Sequence, residues 1–235
     1  MEEKDVDSCS AGHPPLVLGS ASPRRARILR EAGCDCEILV ANAPEISDDA
    51  DPAGTVVRNA LAKHAACRAL RPDADLVTAD TIVWFRGKVF GKPRDLAEAA
   101  SFLRTLSGRV HTVFSAVAFS CAGDAEPAVR VEASVVRFRA LTDADISAYL
   151  DLVHPLDRAG AYDISDYGGI LIESTQGSDE NIAGLPIDLL RPWLEARGHR
   201  NRGEKTRLED EKTFPGKPKK TEGRKNSSIS PSVPL

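Results

Sequence analysis

The 235-residue sequence has no segment that predicts a membrane span or a secretory signal. No apolar run approaches the roughly 18 to 20 residues that a helix needs to cross a bilayer. Residues 1–15 are acidic and polar, and they lack the apolar stretch that characterises a signal peptide. We therefore expect a cytoplasmic protein that does not bind a membrane.

Several signatures of metal binding and covalent catalysis are also missing. The five cysteines are odd in number, and no two have the two-residue spacing of a zinc knuckle or a redox motif. The five histidines show no ligand spacing such as H-x-x-x-H, and neither a nucleophile elbow nor a dinucleotide-binding fingerprint occurs. These absences predict reduced thiols and a reaction without a covalent intermediate.

Charge is distributed unevenly along the chain. Residues 199–235 carry ten Lys and Arg against five Asp and Glu, whereas residues 1–198 carry 21 basic and 30 acidic side chains. The acidic body argues against a nucleic-acid surface, because neutralisation of phosphates by Lys and Arg drives most such binding. The C-terminal segment lacks periodic apolar residues and is rich in Lys, Ser and Pro, so we expect a disordered basic tail.

Residues 15–198 alternate strand and helix patterns and are expected to form one domain, with disordered segments at 1–14 and 199–235. The pattern predicts a mixed α/β fold with at least one antiparallel ribbon, rather than a simple doubly wound sheet. Strands are predicted at 15–20, 35–40, 75–85, 88–90, 110–119, 128–138 and 170–173. Helices are predicted to begin near Ser22, Asp51, Asp95, Thr142 and Leu185.

The LGSASPRR segment (18–25) combines a strand end, two serines and the start of a helix that bears two arginines. Arg24 and Arg25 lie where cations oppose the helix macrodipole. A bound polyanion would reconcile them, because backbone N–H groups, the Ser20 and Ser22 hydroxyls and both guanidinium groups could converge on phosphate oxygens. The alternative is that Ser22 only caps the helix and the arginines are solvated. The segment is not a Walker loop.

The Ala79-Asp80-Thr81 segment places a carboxylate and a hydroxyl inside an otherwise apolar strand pattern. A carboxylate there costs free energy unless it is paired, hydrogen-bonded or bound to metal. Asp80 could hold a magnesium ion or orient an attacking water, or it could simply cap a loop. Lys63 on the second helix and Lys92 in a Gly-Lys-Pro turn could complete an anion site, although most lysines are merely solvated.

From about residue 16 to 197 the chain resembles the Maf family of nucleotide pyrophosphatases. The resemblance depends on six motifs that occur in the family's order. They are S-A-S-P-R-R (20–25), A-D-T (79–81), G-K-P (91–93), L-S-G-R-V-H (106–111), A-G-A-Y-D-I (159–164) and G-L-P (184–186). The fold that this implies is mixed α/β, with an elongated, curved sheet, flanking helices and two lobes around a nucleotide cleft.

The resemblance also implies the chemistry. The family cleaves the bond between the α- and β-phosphates of a nucleoside triphosphate and releases the monophosphate and pyrophosphate. By position, Asp80 matches the family's proton-accepting aspartate and would also hold Mg²⁺ or Mn²⁺. The family's phosphate-binding groups correspond to Ser20, Arg24, Arg25, Lys63 and Lys92.

Three further positions bear on substrate and metal. Thr81 gives the A-D-T reading of the branch that acts on dTTP and UTP, rather than the S-D-Q of the branch that acts on methylated GTP. That pyrimidine branch usually has a base-selecting glutamine where this chain has Ser165. The family also tends to carry a D-E pair after its first proline-containing loop, and here Asp48 is expected to replace that glutamate as a metal ligand.

The sequence therefore predicts a hydrolase of dTTP, UTP or related and modified pyrimidine triphosphates. Two alternatives remain open: a non-enzymatic nucleotide-binding regulator of cell division, and a purine triphosphate pyrophosphatase of the inosine type. The expected partners are a small-molecule nucleotide and, in a homodimer, a second copy of the chain. Neither nucleic acid nor a membrane is expected.

Overall fold

A computed structural model describes residues 13–165 and 167–199, which form a mixed α/β fold around one seven-stranded sheet. The predicted fold class is confirmed. The strands are β1 (Leu16–Gly19), β2 (Glu37–Ile38), β3 (Asp75–Phe85), β4 (Lys88–Phe90), β5 (Val110–Ser120), β6 (Ala128–Phe138) and β7 (Ile172–Gln176). The helices are α1 (Pro23–Glu31), α2 (Pro52–Leu70), α3 (Leu96–Leu106), α4 (Asp143–Val153), α5 (Gly168–Leu171), α6 (Asp179–Ala183) and α7 (Ile187–Ala196), with a 3-10 turn at Ala159–Ala161.

The sheet has the strand order β2-β1-β3-β5-β6-β7, and β4 pairs with the second half of β3. β1 runs parallel to both β2 and β3, whereas the remaining pairs are antiparallel. The long strands β3, β5 and β6 each have 11 residues and form the centre of the sheet. The sheet is therefore mixed rather than doubly wound, as the sequence predicts.

The central strand β3 has a gap in its pairing along one edge. β1 pairs with β3 as far as Gly19 opposite Thr78, and β4 pairs from Phe90 opposite Val83. Within residues 13–165 and 167–199, residues 79–82 consequently have no strand neighbour on that edge. On the other edge β5 pairs with β3 without interruption across the same residues. This gap, which we call the β3 gap, is where the sequence places Asp80 and Thr81.

Local sequence explains where most helices begin. Pro23 opens α1, and Asp51 accepts a hydrogen bond from the Gly54 N–H at the start of α2. Thr142 and Asp145 form a reciprocal capping box at α4. The Asp51 and Thr142 side chains accept hydrogen bonds from N–H groups that would otherwise have no partner in the first helical turn.

Apolar side chains pack into two large clusters. One joins α3, α4 and α5 to the far ends of β3, β5 and β6, around residues such as Leu103, Tyr149 and Phe138. The other joins α1 and α7 to β1 and β3, around residues such as Leu29 and Leu190. A smaller cluster packs α2 against the sheet. The two large clusters correspond to the two lobes that the family resemblance implies.

Two strands, β2 and β7, differ most from their predicted bounds. The strand predicted at 35–40 contains only Glu37 and Ile38, because β2 is an exposed edge strand with one neighbour. The strand predicted at 170–173 begins at Ile172, since the preceding Gly168–Leu171 forms one helical turn. Within residues 13–165 and 167–199, no helix is long and apolar enough to span a bilayer.

The predicted disordered ends fall largely outside the described residues. Among the residues that the structure does describe, His199 belongs to the predicted tail, yet its Nε2 lies 2.7 Å from Asp75 Oδ2. Arg197 also binds Asp75, through Nε at 2.7 Å. The two contacts attach the chain after α7 to the first residue of β3.

Candidate functional site

A cleft of about 620 Å³ opens at the β3 gap. This volume falls within the range of small-molecule binding sites. The cleft is lined by the β1–α1 loop, the 40–47 segment, α2, the middle of β3, the turn at 91–92, the 157–163 segment and the end of α6. Of the predicted site residues, it includes Ser20, Arg24, Arg25, Lys63, Asp80, Thr81 and Lys92.

Asp80 is a buried carboxylate at the bottom of the cleft, with 8% of its side chain exposed. Lys63 Nζ donates to Oδ1 at 2.6 Å, and Asn59 Nδ2 donates to Oδ2 at 3.0 Å. Lys63 and Asn59 lie one turn apart on the same face of α2, so a single helix supplies both donors. A carboxylate has about four acceptor sites, so these two hydrogen bonds leave Asp80 able to accept from water.

Glu45 is a second carboxylate that contacts Lys63, and it is not among the site residues that the sequence predicts. Its Oε1 lies 2.7 Å from Lys63 Nζ and 3.9 Å from Lys92 Nζ. Partial burial raises the pKa of Glu45, but the hydrogen bond from Lys63 and the charges of both lysines outweigh this effect and hold the pKa below its usual value. Glu45 is therefore ionised at neutral pH.

Arg25 makes so many protein contacts that it is not a free phosphate-binding group. Its Nε donates to the Gly184 carbonyl at 2.8 Å, and Nη1 donates to the Ala79 carbonyl at 2.9 Å and to Ser20 Oγ at 3.1 Å. Its Nη2 donates to Thr81 Oγ1 at 3.1 Å. Four of the five guanidinium N–H groups are thus used within the protein. The guanidinium lies in the β3 gap, where its bond to Ala79 substitutes for the missing strand neighbour.

The Thr81 hydroxyl also faces the protein. Besides Arg25, it contacts Ser115 Oγ at 2.9 Å and donates to the Gly184 carbonyl at 3.3 Å. Ser20 Oγ accepts from the Ser22 N–H at 3.2 Å as well as from Arg25. These contacts favour a role for Thr81 in shaping the cleft rather than in direct hydrogen bonding to a base.

Arg24 lies at the cleft wall beside two aspartates. Its Nη1 donates to Asp157 Oδ2 at 3.1 Å, and its Nε lies 3.5 Å from Asp163 Oδ2. Arg158 contacts the same two aspartates. The sequence predicts an unfavourable position for Arg24 at a helix N-terminus, and the structure shows that protein carboxylates compensate part of this cost.

Two predicted site residues do not line the cleft. Asp48 Oδ2 lies 3.7 Å from Arg58 Nη2, and Asp48 Oδ1 accepts a hydrogen bond from the Ala50 N–H. Its carboxylate therefore contacts the first turns of α2 and the loop before it. The structure places Glu45, three residues earlier, beside Lys63 instead. Ser165 has an exposed side chain, and its N–H donates to Asp163 Oδ1 at 2.7 Å.

Sequence signals could have located some of the missed residues. Asn59 precedes Lys63 by four positions, so any helix that directs Lys63 into the cleft also directs Asn59 there. Glu45 is the only carboxylate in the 40–47 segment that lines the cleft. The ion pairs of Arg24 with Asp157 and Asp163 join residues more than 130 positions apart, and no local pattern indicates them.

The cleft contains two neighbouring carboxylates that could bind a divalent cation. Within the described ranges, no group of three or more His, Cys, Asp and Glu side chains could hold a metal ion by itself. Mg²⁺, however, is commonly held by one or two carboxylates together with substrate phosphates and water. Asp80 and Glu45 meet at Lys63 Nζ and supply such a pair. The residues present therefore fit a cation that arrives with an anionic substrate.

A mixed α/β fold whose cleft combines carboxylates with several cations is typical of enzymes that bind small polyanionic substrates. A family model described as Maf-like protein matches residues 15–197. The chain belongs to the Maf family, which confirms the predicted resemblance.

Curated relatives match about four fifths of the chain. The dTTP/UTP pyrophosphatase of Akkermansia muciniphila is 39% identical over 189 residues, which are 80% of this chain and 98% of that protein. The dTTP/UTP pyrophosphatase of Neisseria meningitidis serogroup A is 41% identical, over 79% of this chain and 95% of that protein. That of Deinococcus radiodurans is 38% identical, over 79% of this chain and 94% of that protein. Among solved structures, the Staphylococcus aureus Ham1 protein is similar with a TM-score of 0.43 and 17% sequence identity. The match covers 77% of this chain and 98% of the Ham1 chain. This similarity is too distant to add to the family assignment.

Proposed function

We propose that this protein hydrolyses nucleoside triphosphates to the monophosphate and pyrophosphate, with dTTP and UTP as its preferred substrates. One observation carries the proposal: the buried carboxylate of Asp80, held between Lys63 and Asn59, lies at the bottom of a cleft lined by cations. The identity of 38–41% to dTTP/UTP pyrophosphatases supports the same substrate class.

In this mechanism Asp80 is the proton acceptor. Lys63 and Asn59 fix both carboxylate oxygens, so Asp80 presents its remaining acceptor sites to a water molecule. The water attacks one of the two phosphorus atoms joined by the α–β bridging oxygen, and its proton passes to Asp80. The bond between the attacked phosphorus and the bridging oxygen breaks. The leaving group is pyrophosphate for attack at the α-phosphorus and the monophosphate for attack at the β-phosphorus, and no covalent enzyme intermediate forms.

Cations around the cleft neutralise the triphosphate. Lys92 is the most exposed of them, with 58% of its side chain accessible, and Lys63 and Arg24 lie deeper. We assign Ser20 and Arg25 a supporting role, because their polar atoms already bond within the protein. Mg²⁺ or Mn²⁺ held by Asp80 and Glu45 would neutralise phosphate charge and orient the phosphate oxygens.

Base selection is the finer part of the proposal. Ser165 is shorter and less directional than the glutamine usual in the pyrimidine branch, so we expect dTTP and UTP to be favoured less sharply, with modified pyrimidines accepted. A non-enzymatic regulator would not need a buried acceptor such as Asp80, and a purine enzyme would prefer inosine-type triphosphates. The cytoplasmic location and the homodimer stay predictions.

The test compares pyrophosphate release from dTTP, UTP, CTP, GTP and ITP. Asp80→Asn should lower kcat by roughly 100-fold or more, because the amide no longer accepts a proton. Asp48→Asn is the matched control and should keep kcat within about twofold, since Asp48 lies outside the cleft. Full activity of folded Asp80→Asn would refute the assignment, and a preference for GTP or ITP would refute the substrate class.

A further inference from the structure

Four charged side chains at the cleft wall form a closed ring of alternating sign, which we call the ionic ring. Arg24 and Arg158 each contact both Asp157 and Asp163. The contacts are Arg24–Asp157 at 3.1 Å, Arg24–Asp163 at 3.5 Å, Arg158–Asp157 at 3.3 Å and Arg158–Asp163 at 3.4 Å. The ring joins the first turn of α1 to the 157–163 segment, so it connects the two sides of the cleft.

The two aspartates of the ring have very different surroundings. The Asp163 side chain is fully buried, whereas 56% of the Asp157 side chain is exposed. Asp163 Oδ1 accepts from the Ser165 N–H, but Oδ2 is buried without a hydrogen bond of good geometry within the described chain. Its charge is therefore compensated mainly by the two guanidinium groups. A buried carboxylate of this kind is strongly unfavourable when a cationic partner is removed.

The ring also determines how strongly Arg24 attracts phosphate. If Arg24 alone compensated Asp163, its charge would be largely neutralised before a substrate arrived. Because Arg158 shares Asp163, the ring contains two positive and two negative charges, and one of the negative charges is exposed. A polyphosphate can replace the exposed Asp157 at Arg24 Nη1, while the buried Asp163 stays beside Arg24 Nε.

We propose that Asp163 is a positioning residue that orients Arg24 toward the phosphates, and that Arg158 is the counter-charge that keeps Arg24 available to them. This inference rests on the proposed function, because it concerns the same cleft and substrate. It assigns the two residues separable effects: Asp163 controls the orientation of Arg24 and hence kcat, and Arg158 controls the affinity for the polyphosphate and hence KM.

Two single variants and their combination test these effects with dTTP. Arg158→Gln leaves the Asp163 charge to Arg24 alone, so KM should rise roughly fivefold while kcat changes less. Asp163→Asn removes the charge that orients Arg24, so kcat should fall roughly tenfold without a rise in KM. In the double variant KM should return toward the wild-type value, because positive and negative charges again balance.

Asp143→Asn serves as the charge-matched control. It removes an aspartate from the exposed ion pair with Arg104, outside the residues that line the cleft, and should leave kcat and KM within about twofold. The proposal is overturned if Asp163→Asn keeps wild-type kcat. It is equally overturned if Arg158→Gln leaves KM unchanged, or if the double variant shows no recovery of KM.

Binding of inorganic tripolyphosphate, measured by calorimetry, separates this inference from the proposed function and requires no turnover. Arg158→Gln should weaken that binding by a factor similar to the rise in KM, and the double variant should restore it. If the wild type releases no pyrophosphate from any nucleotide, the proposed function fails, yet the tripolyphosphate series still tests the role of Arg158. Should Asp163→Asn fail to fold, unchanged tripolyphosphate binding by Arg158→Gln would by itself overturn the inference.

Discussion

Arg24 and Arg25 are adjacent in the sequence, but their guanidinium groups have different surroundings. Arg25 uses four N–H groups on Ser20, Ala79, Thr81 and Gly184. Burial lowers the pKa of Arg25 from its usual value, and the nearby Asp80 charge opposes that effect. Arg24 contacts the carboxylates of Asp157 and Asp163 and the Asp157 carbonyl, and the exposed Asp157 is the partner that a phosphate could replace. The number of N–H groups left for a ligand therefore supports a structural role for Arg25 and the proposed phosphate-binding role for Arg24.

This difference predicts unequal effects of two matched substitutions on folding. Arg25→Lys should lower the free energy of unfolding by about 1–3 kcal/mol, because one ammonium cannot satisfy two buried carbonyls and two hydroxyls. Arg24→Lys keeps a charge beside Asp157 and Asp163 and should lower it by roughly 1 kcal/mol or less. Urea unfolding of both variants measures the difference. An equal loss in both, or none in Arg25→Lys, would contradict this account.

For individual residues, the sequence predicts the type of site better than the role of each side chain. Asp80 could be selected because a carboxylate inside an apolar strand pattern needs a specific partner. The roles of Arg25 and Thr81 could not be predicted, because Gly184 lies more than 100 positions away and supplies the carbonyl that both contact. The family resemblance indicates Asp48 as a metal ligand, whereas the path of the 40–47 segment brings Glu45 beside Lys63 in the cleft.

Short elements control the cleft as strongly as the long strands do. The five-residue helix α6 is followed by its C-cap residue Gly184, which has a φ of 109°. The Gly184 carbonyl accepts hydrogen bonds from Arg25 and Thr81. A Cβ at this position would lie 3.3 Å from Thr81 Oγ1 and 3.6 Å from Arg25 Nε. The end of α6 therefore requires glycine for both its backbone conformation and its neighbours.

Gly184→Ala should lower both stability and activity. We expect a loss of about 1–3 kcal/mol in the free energy of unfolding, together with reduced kcat/KM for dTTP. Gly87→Ala is the matched control, because Gly87 also has a positive φ, 75°, but nothing lies within 4 Å of the added Cβ. It should lose stability only, by about 1 kcal/mol. Equal kcat/KM in the two variants would show that α6 does not shape the cleft.

Element bounds could be predicted where a capping residue or a proline marks them. Thr142 and Asp145 at α4 and Pro23 at α1 are examples. α6 was not predicted, since five residues with three polar side chains show no helical periodicity. The start of β7 was misplaced because the apolar residues of Gly168–Leu171 match a buried strand as well as a helical turn.

Two buried histidines give the whole molecule a pH-dependent stability. Burial lowers the pKa of His111 to about 4, and burial together with the Arg68 charge lowers the pKa of His64 to about 4. His111 Nε2 lies 2.9 Å from the Tyr162 hydroxyl, and His64 Nε2 lies 2.9 Å from Ser120 Oγ. Both rings are therefore neutral in the folded protein over most of the weakly acidic range.

In the unfolded chain a histidine binds a proton below a pH of about 6.5. Between this value and pH 4 the unfolded state holds more protons than the folded state, so the free energy of unfolding should fall as the pH falls. His111→Gln should make this fall less steep, because the variant lacks a histidine whose pKa is lowered by burial. Urea unfolding of the wild type and the variant between pH 4 and 7 tests this, and identical slopes for the two proteins would contradict it.

Asp80, which lies in the β3 gap, is held in place before any substrate binds. Asp80 sits on a strand that β5 pairs continuously on one side, and α2 supplies both of its hydrogen-bond donors. Its conformational freedom is lost when the chain folds, long before a nucleotide arrives. Substrate binding then has no need to immobilise the carboxylate that we propose as the proton acceptor, and the entropy of activation should carry little contribution from it.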